Sequence, residues 1–104
     1  VHFAAYHRIR FHPSTHFALQ QGEGVQAAFD GAVRWEGENL WLDGQAFSMC
    51  YAGVEKGNVK TGDRVKCGQT VGKATGMVYG EGENILCVTL YKEGHPCDLS
   101  LYLP

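Results

Sequence analysis

Apolar and polar positions alternate in short runs along most of the chain, with Val33 and Trp35, Leu40 and Leu42, or Phe47, Met49 and Tyr51 separated by single polar or small residues. A period of two puts successive side chains on opposite faces of a strand. Each run is bounded by Gly, Asn or Asp, which end strands. The pattern predicts strands at Ala4–Phe11, Val25–Ala28, Gly31–Glu36, Asn39–Leu42, Phe47–Ala52, Thr70–Ala74 and Ile85–Tyr91, with a short last piece near Leu101. Asp30–Gly31 and Asp43–Gly44 are tight-turn dipeptides, and Gly37-Glu38-Asn39 and Glu93–Gly94 turn further hairpins. No stretch keeps a helical period long enough for a stable helix. The expected fold class is therefore all-β, an antiparallel β-sandwich or partly open barrel. Thr75–Asn84, with three glycines and two glutamates, reads as an exposed loop flanking a groove.

At 104 residues and 44% apolar composition, the chain suits one domain over 1–104, with a core from about 11 to 103. The formal charge is −2 and the cations are scattered, so no electrostatic footprint favours nucleic acid or an anionic membrane. No run approaches the ~20 apolar residues of a membrane helix. His7, Arg8 and Arg10 stand where a signal peptide would be apolar. Because the chain starts at Val1 without Met, the expectation is an excised domain whose anchor or export signal lies upstream. Cys50, Cys67, Cys87 and Cys97 form no C-x-x-C pair, which argues against a zinc ribbon or a thioredoxin-like motif. Buried thiols are expected rather than disulfides, since three of the four lie in apolar runs.

Tyr51-Ala52-Gly53-Val54, followed by Val59, Gly62, Val65, Gly68-Gln69 and Val71-Gly72, resembles the Y-x-H-L-x-x-x-x-V-x-x-G-x-x-V-x-x-G-Q-x-I-G signature of the LytM/lysostaphin-type zinc endopeptidases. Upstream, Gly24–Val33 is similar to that family's G-x-P-V-x-A-x-x-D-G-x-V segment, and Gly37–Leu42 to its G-N-x-V-x-I. Downstream, Ile85–Leu103 runs parallel to H-L-H-F-E-I-x-x-x-G-x-P-V-D-P-x-x-Y-L. Biotinyl and lipoyl carrier domains share the G-x-x-V-x-x-G-Q rhythm, but Lys56, Lys60, Lys66 and Lys73 lack the Met-Lys dipeptide of those carriers. Four blocks in order, spanning about Phe11 to Leu103, favour the peptidase resemblance, which implies the LytM (duplicated hybrid motif) fold.

In that family zinc is held by the His and Asp of H-x-G-x-D and by the second His of H-x-H. The first His of H-x-H and the His of Y-x-H move protons and stabilise the oxyanion. Carried over residue by residue, the metal positions fall on His12, His16 and Cys87, and the two working histidines are replaced by Ile85 and Gly53. Neither an alkyl chain nor a hydrogen moves a proton. The resemblance therefore implies a pseudo-enzyme that keeps the fold as a protein- or peptidoglycan-binding, regulatory scaffold in bacterial cell-envelope or sporulation processes.

That reading needs no cofactor. Its implied partner is a protein of the envelope or sporulation machinery, or peptidoglycan, and its implied place is extracytoplasmic, membrane-anchored through segments outside this chain or associated with the cell wall. The alternative is an active zinc peptidoglycan endopeptidase with a rearranged His12, His16 and Cys87 site, since Zn²⁺ accepts imidazole and thiolate. Trp35, Trp41 and Tyr51 are expected to pack in the core or the groove wall rather than to form a saccharide platform. His2 and His7 read as terminal and solvated or paired, His95 as remote from the site, and Asp98 as a turn carboxylate.

Overall fold

The computed structural model describes residues 7–10, 14–75, 77–79 and 83–97, with side chains at 17, 19–75 and 86–97. Its strands are β1 His7–Arg10, β2 Ser14–Ala18, β3 Gly24–Gln26, β4 Gly31–Glu36, β5 Asn39–Asp43, β6 Phe47–Ala52, β7 Arg64–Val65, β8 Thr70–Lys73, β9 Met77–Tyr79, β10 Glu83–Lys92 and β11 His95–Cys97. One sheet runs in the order β1-β2-β10-β6-β5-β4-β7, with β9 and β11 also paired to β10, and β3 and β8 make a second, small sheet. Every pairing is antiparallel. The expected all-β, open two-sheet architecture is the one observed.

The period of two decides which side chains are inside. On β4, β5, β6 and β10 the buried residues are Val33, Leu40, Leu42, Met49, Tyr51, Leu86, Val88 and Leu90. They meet Val25 and Val71 of the small sheet, with Ala27 and Ala74 beside them, in one apolar cluster. Burying a Leu, Val or Met side chain contributes about 1.5–3 kcal/mol, so this layer dominates stability. The residues between them face away from the cluster. That outward face of the large sheet is the one on which the site must be built.

A single turn recurs three times, and two of its copies lie where the chain passes between the large sheet and the small one. In Gln20–Glu23, Lys60–Asp63 and Lys66–Gln69 the fourth residue's N–H donates to the first residue's carbonyl, at 3.1, 3.0 and 2.9 Å. The fourth side chain in turn accepts the first residue's N–H. The third residue is Gly22, Gly62 or Gly68, at φ 89°, 98° and 85°, the left-handed region that a type II turn requires at this position. Each of these glycines donates its N–H to a neighbouring segment's carbonyl, Ala74, Val33 or Ala27. The same three residues donate back to Glu23, Asp63 and Gln69. The G-x-x-V-x-x-G-Q rhythm is this docking turn written twice in succession.

Several boundaries differ from the sequence expectation. β2, β7 and β11 are strands that the pattern did not mark. The expected loop Thr75–Asn84 contains β9, whose Val78 stands opposite Asn84. Such pieces are two to five residues long, too short for a period to declare itself, and their extended form is imposed by a partner strand. The first strand is described only as His7–Arg10, and the piece near Leu101 lies outside the described residues, as do His2 and Asp98. The buried-thiol expectation is also corrected. Cys67 is exposed and Cys50, Cys87 and Cys97 are half-buried, because Cys50 and Cys87 occupy the outward phase of alternating strands. None of the four is in a disulfide.

Candidate functional site

Strand register aligns paired residues of the large sheet in rows. One row runs Arg10, His16, Cys87, Ala52 across β1, β2, β10 and β6. The next runs Ser14, Thr89, Cys50, Trp41, Arg34 across β2, β10, β6, β5 and β4. Ile85 lies two residues before Cys87 on β10, and its pairing partners are Ala18 and Met77. Of the three metal positions, His16 and Cys87 are brought directly opposite one another, and His12 lies outside the described residues. Among the described residues no group of three His, Cys, Asp or Glu side chains could hold a metal ion.

Gly53 follows β6 immediately and has φ 108°, while its carbonyl accepts the Thr75 N–H at 2.8 Å. An L side chain rarely adopts that backbone. The residue therefore does more than omit an imidazole, because its conformation suits glycine and would strain a histidine. Beside it lies a cleft of about 680 Å³ lined by Glu38, Asn39, Ala52, Val54, Glu55, Lys56 and Thr75 among others. The lining mixes charged and small side chains.

The opposite part of the face carries a cluster that sequence reading did not single out as a site. The Arg34 guanidinium donates to both carboxylate oxygens of Asp43, at 2.9 and 3.1 Å, and pairs with Glu36. The Ser48 hydroxyl donates to Asp43 at 2.9 Å. The Arg34 hydrogen bonds, helped by that of Ser48, hold the Asp43 carboxyl below its usual range despite partial burial. Asp43 in turn raises the Arg34 pKa. Arg34 Cζ lies 4.8 Å from the centre of the Trp41 ring, and Trp41 and Tyr91 pack with ring centroids 5.0 Å apart. The signal that could have found it is the Gly37–Glu38 turn, because a two-residue connection between Glu36 and Asn39 forces Arg34 opposite Trp41.

The three aromatic residues separate by role. Tyr51 is in the core, where its hydroxyl accepts the Ala28 N–H at 3.0 Å. Trp35 packs against the core and donates its indole N–H to the Val59 carbonyl. Trp41 is groove wall. His95 is exposed on β11, opposite Lys92, at the end of β10 away from Ile85.

A profile of Peptidase family M23 matches residues 10–99. The chain belongs to peptidase family M23. The fold agrees with solved structures of this family and its relatives. A zinc containing peptidase from Vibrio cholerae is 26% identical at a TM-score of 0.73, over 84% of this chain and 29% of its own. The catalytic domain of lysostaphin from Staphylococcus simulans, an antimicrobial peptidase, is 20% identical at 0.78, over 93% of this chain and 91% of its own. A variant catalytic domain of the prophage-encoded M23 protein EnpA from Enterococcus faecalis is 22% identical at 0.77, over 99% and 96%. This chain thus spans under a third of the Vibrio cholerae protein and nearly all of the two isolated catalytic domains. No curated protein sequence matches it significantly.

Proposed function

We propose that this M23 domain does not hydrolyse its ligand and serves as a binding and regulatory scaffold of the bacterial cell envelope. The reading is carried by Gly53, which stands where the family resemblance expects a working histidine and has a backbone, φ 108°, that disfavours any side chain. Ile85 at the other working position removes the second proton carrier. Loss of one positioned acid or base costs about 10² to 10⁴ in rate, and the loss of two leaves no useful turnover by the family route.

The proposed ligand is a protein of the envelope, with peptidoglycan as the second candidate, and the proposed place is extracytoplasmic, anchored in the membrane or held at the cell wall. A sporulation setting rests on the family resemblance alone. The outward face supports binding, because it joins the cleft at Gly53 to the Trp41–Tyr91 wall along one sheet. Co-sedimentation with purified peptidoglycan sacculi tests the choice of ligand. Weak retention that salt abolishes is expected for a protein-binding scaffold, and salt-resistant retention would transfer the proposal to the glycan-peptide polymer.

One observation keeps a second reading in view. His16 and Cys87 are paired in strand register, which supports a zinc peptidase with rearranged ligands, for which no base is identified.

A further inference from the structure

The family resemblance places no site residue near Trp41, yet a cleft of about 450 Å³ opens there. It is lined by Trp41, Ser48 and Tyr91 from β5, β6 and β10, and by Gln45 and Glu93 from the β5–β6 and β10–β11 turns. Trp41 and Tyr91 are half-buried, with ring centroids 5.0 Å apart and planes tilted by 41°. Among the described residues neither the Trp41 indole N–H nor the Tyr91 hydroxyl makes a hydrogen bond. The other indole, that of Trp35, donates to the Val59 carbonyl at 3.0 Å. The cleft therefore offers one ligand both aromatic surface and two donors. Arg34 already covers a face of Trp41, 4.8 Å from the ring centre, which leaves a notch between tilted rings rather than a flat platform for a sugar ring. Charge narrows the ligand further. Arg34 is bonded to Glu36 and Asp43, and Lys92 Nζ lies 5.9 Å from the centre of the Phe47 ring. Glu93 has no ion pair among the described residues and sits at its turn with φ 53°.

We propose that this cleft binds a proline-rich segment of a partner protein in the polyproline II conformation, with a flanking Lys or Arg directed to Glu93. Such segments dock in aromatic-lined grooves, where prolines pack on the ring faces. Their backbone makes no internal hydrogen bonds, and proline has no N–H to donate. The segment thus brings carbonyl acceptors in excess of donors, which complements the Trp41 N–H and the Tyr91 hydroxyl. Its extended form exists before binding, so little order has to be imposed on it. Three carboxylates, Glu36, Asp43 and Glu93, stand around the cleft against Arg34 and Lys92, a balance that favours a cationic flank over an anionic one. The inference rests on the reading of the domain as a protein-binding scaffold and names the kind of partner that scaffold takes.

The experiment is proton–nitrogen NMR of the labelled domain titrated with a capped oligoproline peptide ending in arginine. The Trp41 indole N–H resonance is expected to shift and that of Trp35 to stay, since Trp35 is already bonded to Val59. Backbone amide shifts follow binding in the variants, and far-ultraviolet circular dichroism checks that each is folded. Trp41→Phe and Tyr91→Phe each keep a ring and remove a donor, so each is expected to weaken binding about 2- to 10-fold, the worth of one hydrogen bond. Glu93→Gln is expected to weaken the arginine-ended peptide about 2- to 5-fold and to leave a glutamine-ended one unchanged. An N-acetylglucosamine oligomer, as control ligand, is expected to leave the Trp41 resonance unmoved. No shift of that resonance with the peptide, folded Trp41→Phe and Tyr91→Phe variants that bind as tightly as wild type, or a shift produced by the saccharide in place of the peptide would overturn the proposal. Failure of the scaffold reading itself is distinguishable, because it shows as hydrolysis of peptidoglycan by a domain whose response to the peptide is unchanged.

Discussion

Two residues show how a single position can decide more than its own side chain. Gly53 holds φ 108°, and forcing an L residue into such a sparsely populated region costs on the order of 1–3 kcal/mol. Gly53→Ala is therefore expected to lower stability by about that amount in denaturant unfolding, and Gly53→His to do at least as much without creating a catalyst. Tyr51 is fully buried with its hydroxyl on the Ala28 N–H. Tyr51→Phe leaves that buried donor without this acceptor and is expected to cost ~1–3 kcal/mol, measured the same way. The sequence placed Gly53 on the motif that matters, since Tyr51 and the glycine-valine rhythm frame it. Its positive φ was beyond sequence reading, because glycine is compatible with either hand of backbone.

Elements carry the next layer. β10 is the longest strand and borders β2, β6, β9 and β11, with Leu86, Val88 and Leu90 all fully buried. Leu86→Ala is expected to cost ~2–5 kcal/mol, toward the upper end, because an interior strand flanked on both sides cannot easily collapse onto the cavity. On the outward face the Arg34–Asp43 pair gives the β4–β5–β6 hairpins a pH signature. The folded Asp43 pKa is depressed, so its contribution is present above the unfolded value near 4 and is lost as pH falls through the lower folded value. Wild type is expected to lose more stability than Asp43→Asn on acidification below about pH 4, by a modest margin because both partners are more than a third exposed. A comparison of thermal melts at neutral and strongly acid pH checks this. β4, β5 and β6 were legible because their alternation is uninterrupted and their turns are short. β2, β7, β9 and β11 were not, because pairing rather than local pattern makes them strands.

At the scale of the whole molecule, the chain has the scaffold of an M23 peptidase domain, and the proposed function is that this scaffold binds without hydrolysing. Two of the three copies of one docking turn join the small sheet to the large one, and the large sheet presents a continuous outward face from Gly53 to Arg34. Fold and family were readable because four sequence blocks fall on the turns and strands that build this scaffold. The metal positions were readable only by carry-over, and His12 lies outside the described residues. Turnover of purified peptidoglycan and of a cross-link peptide by the zinc-supplemented domain, with the lysostaphin catalytic domain as positive control, tests the central claim most directly. Release of products no faster than in buffer is the predicted result. Cleavage that a chelator abolishes and zinc restores would contradict it and establish a peptidase working without either family histidine.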